Sequence, residues 1–298
     1  MLKIKRRVVL HGPSTLTISL PMSWVKKFNI KKGDELNLKE FGNELRINVD
    51  QEFNLGKKQI DIKDLKRLGK SYVTSSCRQG YEEININYDD PKYIRTIQDI
   101  LSKEITGFEI IKQNSNSCVI KDLTGQNKDE FNNALRRIWL LLLDLSNESL
   151  NAIRKDAYAE LKNIQLIDYS INKFSNYCLR LLIKTGHVNF KKTPLYYHLI
   201  KSLEDMADKY KDMCNFYSGN AGKINDSFIS VFNEVNSHLN EFYELFYKYD
   251  EQKMENLFRK TKLTLNKIPT LDNKMSYYLS AICTDIRNLS SVLVEINL

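Results

Sequence analysis

Glycine and proline are scarce in this chain, 11 and 5 among 298 residues, and residues 55–124 contain no phosphate-cradling glycine loop. The longest unbroken apolar run is Ile138 to Leu143. That is far short of the ~20 residues that span a bilayer. The N-terminus alternates basic and apolar residues where a signal peptide would carry an apolar block. A cytoplasmic protein with no membrane insertion is therefore expected. The five cysteines (Cys77, Cys118, Cys178, Cys214, Cys283) form no CxxC pair. That argues against structural zinc and against a disulfide framework, and buried reduced thiols are expected instead. The four histidines show no HExxH spacing, and no G-x-S-x-G nucleophile elbow occurs. Glu-x-x-His pairs, which carboxylate-metal enzymes in helical bundles use, are also missing. An enzyme is not expected.

Acidic residues are missing from the first 33 positions, which hold Lys3, Lys5, Arg6, Arg7, Lys26, Lys27, Lys31 and Lys32. Residues 1–50 contain ten Lys/Arg against five Asp/Glu and so supply +5 of the net +8. Such a block attracts a polyanion, most commonly nucleic-acid phosphate. The same lysines also suit an exposed edge strand kept from aggregating by charge. Apolar residues make up 42% and charged residues 28%, enough for a core. The length predicts two or three modules.

Residues 2–10 and 14–20 read as two short strands around a Gly12-Pro13 turn. In the second, Leu16, Ile18 and Leu20 alternate with Thr15, Thr17 and Ser19, which predicts one buried face. Pro21 ends that strand, and Ser23 is placed to cap a helical turn through Phe28. Two further strands, 35–39 and 44–49, flank Phe41-Gly42-Asn43. About 50 residues make too small a core alone, so pairing with a second copy is expected. Trp24 is expected to anchor that small core.

Residues 55–124 read as a small α+β module. It has a helix over 61–75, a strand over 82–88, a helix from Pro91 to about 104, and strands at 108–112 and 117–122. From Asn127 onward the pattern is helical. Stripes through Phe131, Leu135, Ile138, Leu142 and Leu145, and through Leu199, Leu203, Met206, Tyr210, Met213 and Tyr217, have three- and four-residue spacing. Six helices are expected, as two three-helix units. The fold class is α+β multidomain, with domains at 1–52, 53–125 and 126–298.

On α-helical geometry Glu204, Asp208 and Asp212 form one row, with Asp208 nearly opposite the apolar stripe. A hard or borderline cation can bridge such carboxylates. A solvated charged face, partly neutralised by Lys201, Lys209 and Lys211, fits the same row. Asp168 and Asn172, also four apart, would add ligands from a neighbouring helix or serve as polar helix positions.

Residues 1–50, through STLTISLPMSWVKKFNIKKGDELNLKEFGNELRI, resemble the swapped-hairpin DNA-binding domain of the AbrB/SpoVT/MazE type. The resemblance implies an intertwined homodimer that lays basic strands and loops on double-stranded DNA. Lys5, Arg6 and Arg7 would contact phosphates, Lys3, Lys26 and Lys27 would flank them, and Ser14 or Thr15 would reach bases. Residues 127–298 resemble the PhoU family of phosphate-uptake regulators through LEDMADKYKDMC, residues 203–214, and more weakly through DYSINKFSNYCLRLLIKTG, residues 168–186. That family implies divalent, iron or zinc ions on E/D-x-x-x-D pairs. Glu204 and Asp208 fill the pattern, with Asp168, Asp212 and Asp285 as further candidates. Four positions before Asp285 stands Ala281, a departure from the motif. The expectation is a PhoU-like transcriptional regulator of phosphate homeostasis. The rivals are an adaptor that dimerises without DNA and holds a phosphate transporter or sensor kinase, a carboxylate-metal enzyme, and an antitoxin, which fits residues 1–50 alone.

Overall fold

The computed structural model describes residues 5–41, 44–49, 56–65, 68–123, 130–219, 224–271 and 274–298. Lys3, the turn residues Gly42 and Asn43, and the expected domain boundaries near 52 and 125 lie outside the described residues. The chain divides into two compact units, Met1–Asn54 and Leu55–Leu298.

In the first unit β1 (Val9–His11) pairs antiparallel with β2 (Thr15–Thr17), and β3 (Leu36–Phe41) with β4 (Glu44–Val49). Helix α1 (Met22–Lys27) lies between the pairs in sequence. The first strand is much shorter than expected, because Leu16 and its neighbours offer only three pairing positions and residues 5–8 join no strand. Gly12, at φ +70°, makes the turn that a side chain would strain. Ser23 does not cap α1. The Pro21 carbonyl accepts from the backbone N–H groups of Trp24 and Val25 instead, and Ser23 sits inside the helix. Trp24 is half-buried, its ring 5.6 Å from that of Phe28.

Among the residues of this unit whose burial is described, none is buried. Leu16, expected on a buried face, is 69% exposed, Leu10 opposite it is 62% exposed, and Ile18, Leu38 and Leu45 are open as well. The alternation in the sequence is real, but a single chain does not cover its apolar side.

The second unit opens with a sheet of order β5-β6-β8-β7, formed by β5 (Lys57–Asp61), β6 (Glu83–Asn87), β7 (Phe108–Gln113) and β8 (Ser117–Asp122). β5 and β6 are parallel, joined through α2 (Gly69–Arg78), and the other pairs are antiparallel. α3 (Tyr93–Lys103) links β6 to β7. The helix expected over 61–75 is corrected: a strand occupies 57–61 and the helix starts at Gly69. Parallel pairing with β6, whose Ile84 and Ile86 are core residues, holds Lys57–Asp61 extended.

Six long helices follow: α4 (Glu130–Arg154), α5 (Tyr158–Thr185), α6 (Thr193–Gly219), α7 (Asp226–Tyr247), α8 (Glu251–Lys267) and α9 (Ser276–Asn297). α4, α5 and α6 pack mutually, as do α7, α8 and α9, and the α4–α7 and α6–α9 contacts fuse the two sets around one core. Trp139 is fully buried there, edge-on to Phe242. Asn225 and Asp250 cap α7 and α8 by accepting from backbone N–H groups three residues on. All five cysteines are buried and unpaired, and burial pushes the thiols of Cys77 and Cys178 up to about 12. Among the described residues, no helix is long and apolar enough to cross a membrane.

Candidate functional site

Two places concentrate charge. In the first unit Lys5, Arg6, Arg7, Lys26 and Lys27 are exposed, as are Ser14 and Thr15 at the β1–β2 turn. Among the described residues no carboxylate pairs with the side-chain cation of Lys5, Arg6, Arg7, Lys26, Lys31 or Lys32. Among the described residues the Lys27 ammonium lies 5.4 Å from the centre of the Phe28 ring. Lys26 and Lys27 close the last turn of α1, where the carbonyl end of a helix favours cations. The Lys31 N–H donates to Asp34 Oδ2 at 2.7 Å and, with Gly33 at φ +94°, fixes the following turn. Among the described residues the unit therefore combines exposed cations that meet no carboxylate with an apolar side that is open.

The second place is a polar cavity of about 370 Å³ between α2, α5 and α6. Arg180 of α5 ties the α+β module to the bundle. Arg180 donates through Nη1 to the carbonyls of Cys77 at 2.5 Å and Tyr81 at 3.0 Å, and through Nη2 to Asp122 Oδ2 at 2.6 Å. The Asn176 amide adds a bond to the Glu104 carbonyl at 2.8 Å. None of these contacts was visible from residue spacing, since their partners lie 58 to 103 positions apart.

Glu204, Asp208 and Asp168 all line this cavity, whereas Asp212 is exposed outside it and Asp285 lies on α9. Of these carboxylates, Glu204, Asp208, Asp168 and Asp285 each meet a lysine. Lys201 pairs with Glu204 and Asp205, Lys209 with Asp285, and Lys211 with Asp208 and, at 3.0 Å, with Asp168 Oδ2. Burial pushes the Asp168 carboxyl up to about 6, with Lys211 offsetting only part of the effect. Burial works against the Lys211 ammonium too, but its bond to Asp208 and the charge of Asp168 outweigh it and raise its pKa. Burial likewise raises Asp285 against the pull of Lys209.

The Lys211 ammonium thus occupies the position a bridging cation would take between Asp168 and Asp208. Among the described residues no three His, Cys, Asp or Glu side chains come together as a metal-holding group. The carboxylates of α6, tied to lysines in this way, do not fit a resident metal.

Residues 11–48 match the family model of MazE, described as antidote-toxin recognition in a bacterial antitoxin. The matched stretch runs from the end of β1 into β4. The first unit therefore carries a MazE/AbrB-type domain, the kind found in DNA-binding or antitoxin-type regulators. Comparison with curated proteins finds no match, and comparison with solved structures finds none.

Proposed function

We propose that the protein is a DNA-binding regulator whose first units dimerise and lay their basic segments on duplex DNA. The observation that carries this reading is the acid-free stretch through residue 33, with Lys5, Arg6, Arg7, Lys26 and Lys27 exposed beside an apolar side that one chain leaves open. A second copy covers that side, and dimerisation doubles the cationic surface. The basic groups contact phosphates and so position the protein. Ser14 and Thr15, short and exposed at the β1–β2 turn, are the side chains suited to touch base edges. The MazE-type match supports the same reading.

The test is duplex-DNA binding by fluorescence anisotropy across a salt series. Binding should weaken steeply with salt, by a log–log slope of about −0.9 for each phosphate neutralised. Arg6→Ala/Arg7→Ala removes four cations per dimer and should make the slope shallower by about 3 to 4. No binding at low salt would remove the DNA assignment.

The finer reading is that the helical bundle senses or transmits phosphate status for a transporter or sensor kinase. It rests on the resemblance of residues 203–214 and 168–186 to PhoU regulators, and no metal enters it. Genome-wide mapping of bound sites with phosphate plentiful and scarce tests it, and an occupancy indifferent to phosphate would sink it. The description of the matched family favours one second reading, an antitoxin-type regulator. Stoichiometric co-purification of a small toxin, released without loss of the helical bundle, would select it.

A further inference from the structure

The cavity between α2, α5 and α6 holds unmet groups of both signs, which DNA binding does not use. Asp168 is 1% exposed, and its Oδ1 is buried with no hydrogen-bond donor. Its other oxygen, Oδ2, already accepts from Lys211 at 3.0 Å and from the Asn172 amide at 3.3 Å. One turn further along α5, the Oδ1 of Asn172 is also buried and unpartnered. Residues four apart share a helix face, and both line the cavity. An unmet buried acceptor has lost its water without gaining a donor, so a site that keeps two of them side by side is built to receive donors.

The opposite wall supplies a cation. α2 turns Lys70, Thr74 and Arg78 toward the cavity at four-residue spacing. Lys70 pairs with Glu104 at 2.5 Å, but Arg78 makes no ion pair or hydrogen bond through its guanidinium with any described residue. A guanidinium is a rigid fork of donors that suits a carboxylate. The charges of the lining can be matched in turn. Glu104 is met by Lys70, and Glu204 by Lys201 from just outside. One ammonium, that of Lys211, serves both Asp168 and Asp208. What remains is one negative charge on the α5–α6 side and one positive charge on α2.

We infer that this cavity binds a small zwitterion of the amino-acid class, its carboxylate on the Arg78 guanidinium and its amine donating to Asp168 Oδ1 and Asn172 Oδ1. The volume of about 370 Å³ lies in the range of small-ligand sites, roughly 300–1,000 Å³. The lining contains no aliphatic residue, and Tyr169 is its one aromatic ring. Polar amino acids therefore fit better than leucine or valine. The ligand would bridge α2 to α5, so occupancy would tighten the α+β module against the bundle. The inference does not depend on the DNA-binding reading and survives its failure.

The experiment uses the full chain, with thermal-shift and calorimetric titration against glutamine, asparagine, serine, arginine and leucine. Parallel arms carry the matching amines without a carboxylate, the matching acids without an amine, and inorganic phosphate. At least one polar amino acid should raise the melting temperature and bind, and deleting either its amine or its carboxylate should weaken binding at least tenfold. Arg78→Met should weaken it at least tenfold while Arg95→Met, on the exposed side of α3, leaves it unchanged. Asp168→Asn should do the same. Asn172→Leu removes the neighbouring acceptor and leaves the Lys211 pair in place, so it carries the test if Asp168→Asn does not fold. No binding by any amino acid at millimolar concentration would overturn the inference. Equal binding of phosphate or of the amine-free acids, or full binding by Arg78→Met, would overturn it too.

Discussion

Replacing Arg180 by methionine should destabilise the second unit by about 3–5 kcal/mol, the cost of breaking a buried ion pair from one side. The side chains of Arg180 and Asp122 are 9% and 8% exposed, with 2.6 Å between their charged groups. The guanidinium also satisfies two backbone carbonyls, those of Cys77 and Tyr81, and packs 4.8 Å from the centre of the Phe108 ring. Methionine keeps most of the apolar stem, so the loss isolates the charge and its hydrogen bonds. Each stranded carbonyl would cost about 1–3 kcal/mol by itself, but the three partners share one group, so the costs overlap and do not add. Urea denaturation of the full chain, followed by far-UV circular dichroism, measures the change. Asp122→Asn and the double variant complete a cycle. The double variant should be more stable than the sum of the single losses predicts, by about 1.5–3 kcal/mol, within the range for directly contacting groups. A loss below about 1 kcal/mol for Arg180→Met, or strict additivity across the cycle, would refute the account of how α5 holds the module.

Leu16→Asp should weaken self-association at least about 100-fold in sedimentation equilibrium, because burying one leucine contributes about 1.5–3 kcal/mol and each dimer buries two. An unchanged dimer would mean that the open apolar side of β1–β2 is not the contact. The pH dependence of stability should carry the mark of Asp168, whose folded pKa of about 6 stands above the ordinary value of 3.8. The proton is held more tightly in the folded state, so this contribution is fully present below pH 3.8 and lost as pH rises through 6. A gap of about two pH units corresponds to about 3 kcal/mol. The difference in unfolding free energy between wild type and Asp168→Asn should shift by that order between pH 3.5 and 7, and a flat difference would contradict the burial.

The helices were legible because their apolar stripes recur with a helical period, and the stripes through Leu135 and Leu203 fall within α4 and α6. β8 was equally plain, since Ser117–Asp122 alternates behind a turn-forming Asn-Ser-Asn. β5 was not legible. Of Lys57–Asp61 only Ile60 is buried, and what makes the segment a strand is its parallel ladder with β6, 26 residues away. Local composition cannot report a partner at that distance. The first unit failed differently: the alternation of Leu16 and Ile18 predicted a buried face, yet within the single chain both side chains are exposed.

The carboxylate row shows the same division between what a helix states and what packing decides. Spacing alone put Glu204, Asp208 and Asp212 on one face and noted three lysines beside them. Only the fold shows that Lys211 reaches across to Asp168 on α5 and Lys209 to Asp285 on α9. Asn172 was already placed beside Asp168 by its spacing, whereas Arg78 and Glu104 escaped notice because they come from two further segments that share no motif with α5 or α6. The choice of a lysine as the bridging cation has a consequence of its own. A divalent ion would bring two charges to two carboxylates, whereas an ammonium brings one. Asp168 and Asp208 are therefore left one charge short in a site where Asp168 is nearly dry, and burial then favours a proton on Asp168. A donor arriving from outside, cationic and small enough for the cavity, supplies the missing charge at Asp168 Oδ1, the oxygen of that carboxylate that the lysine does not reach.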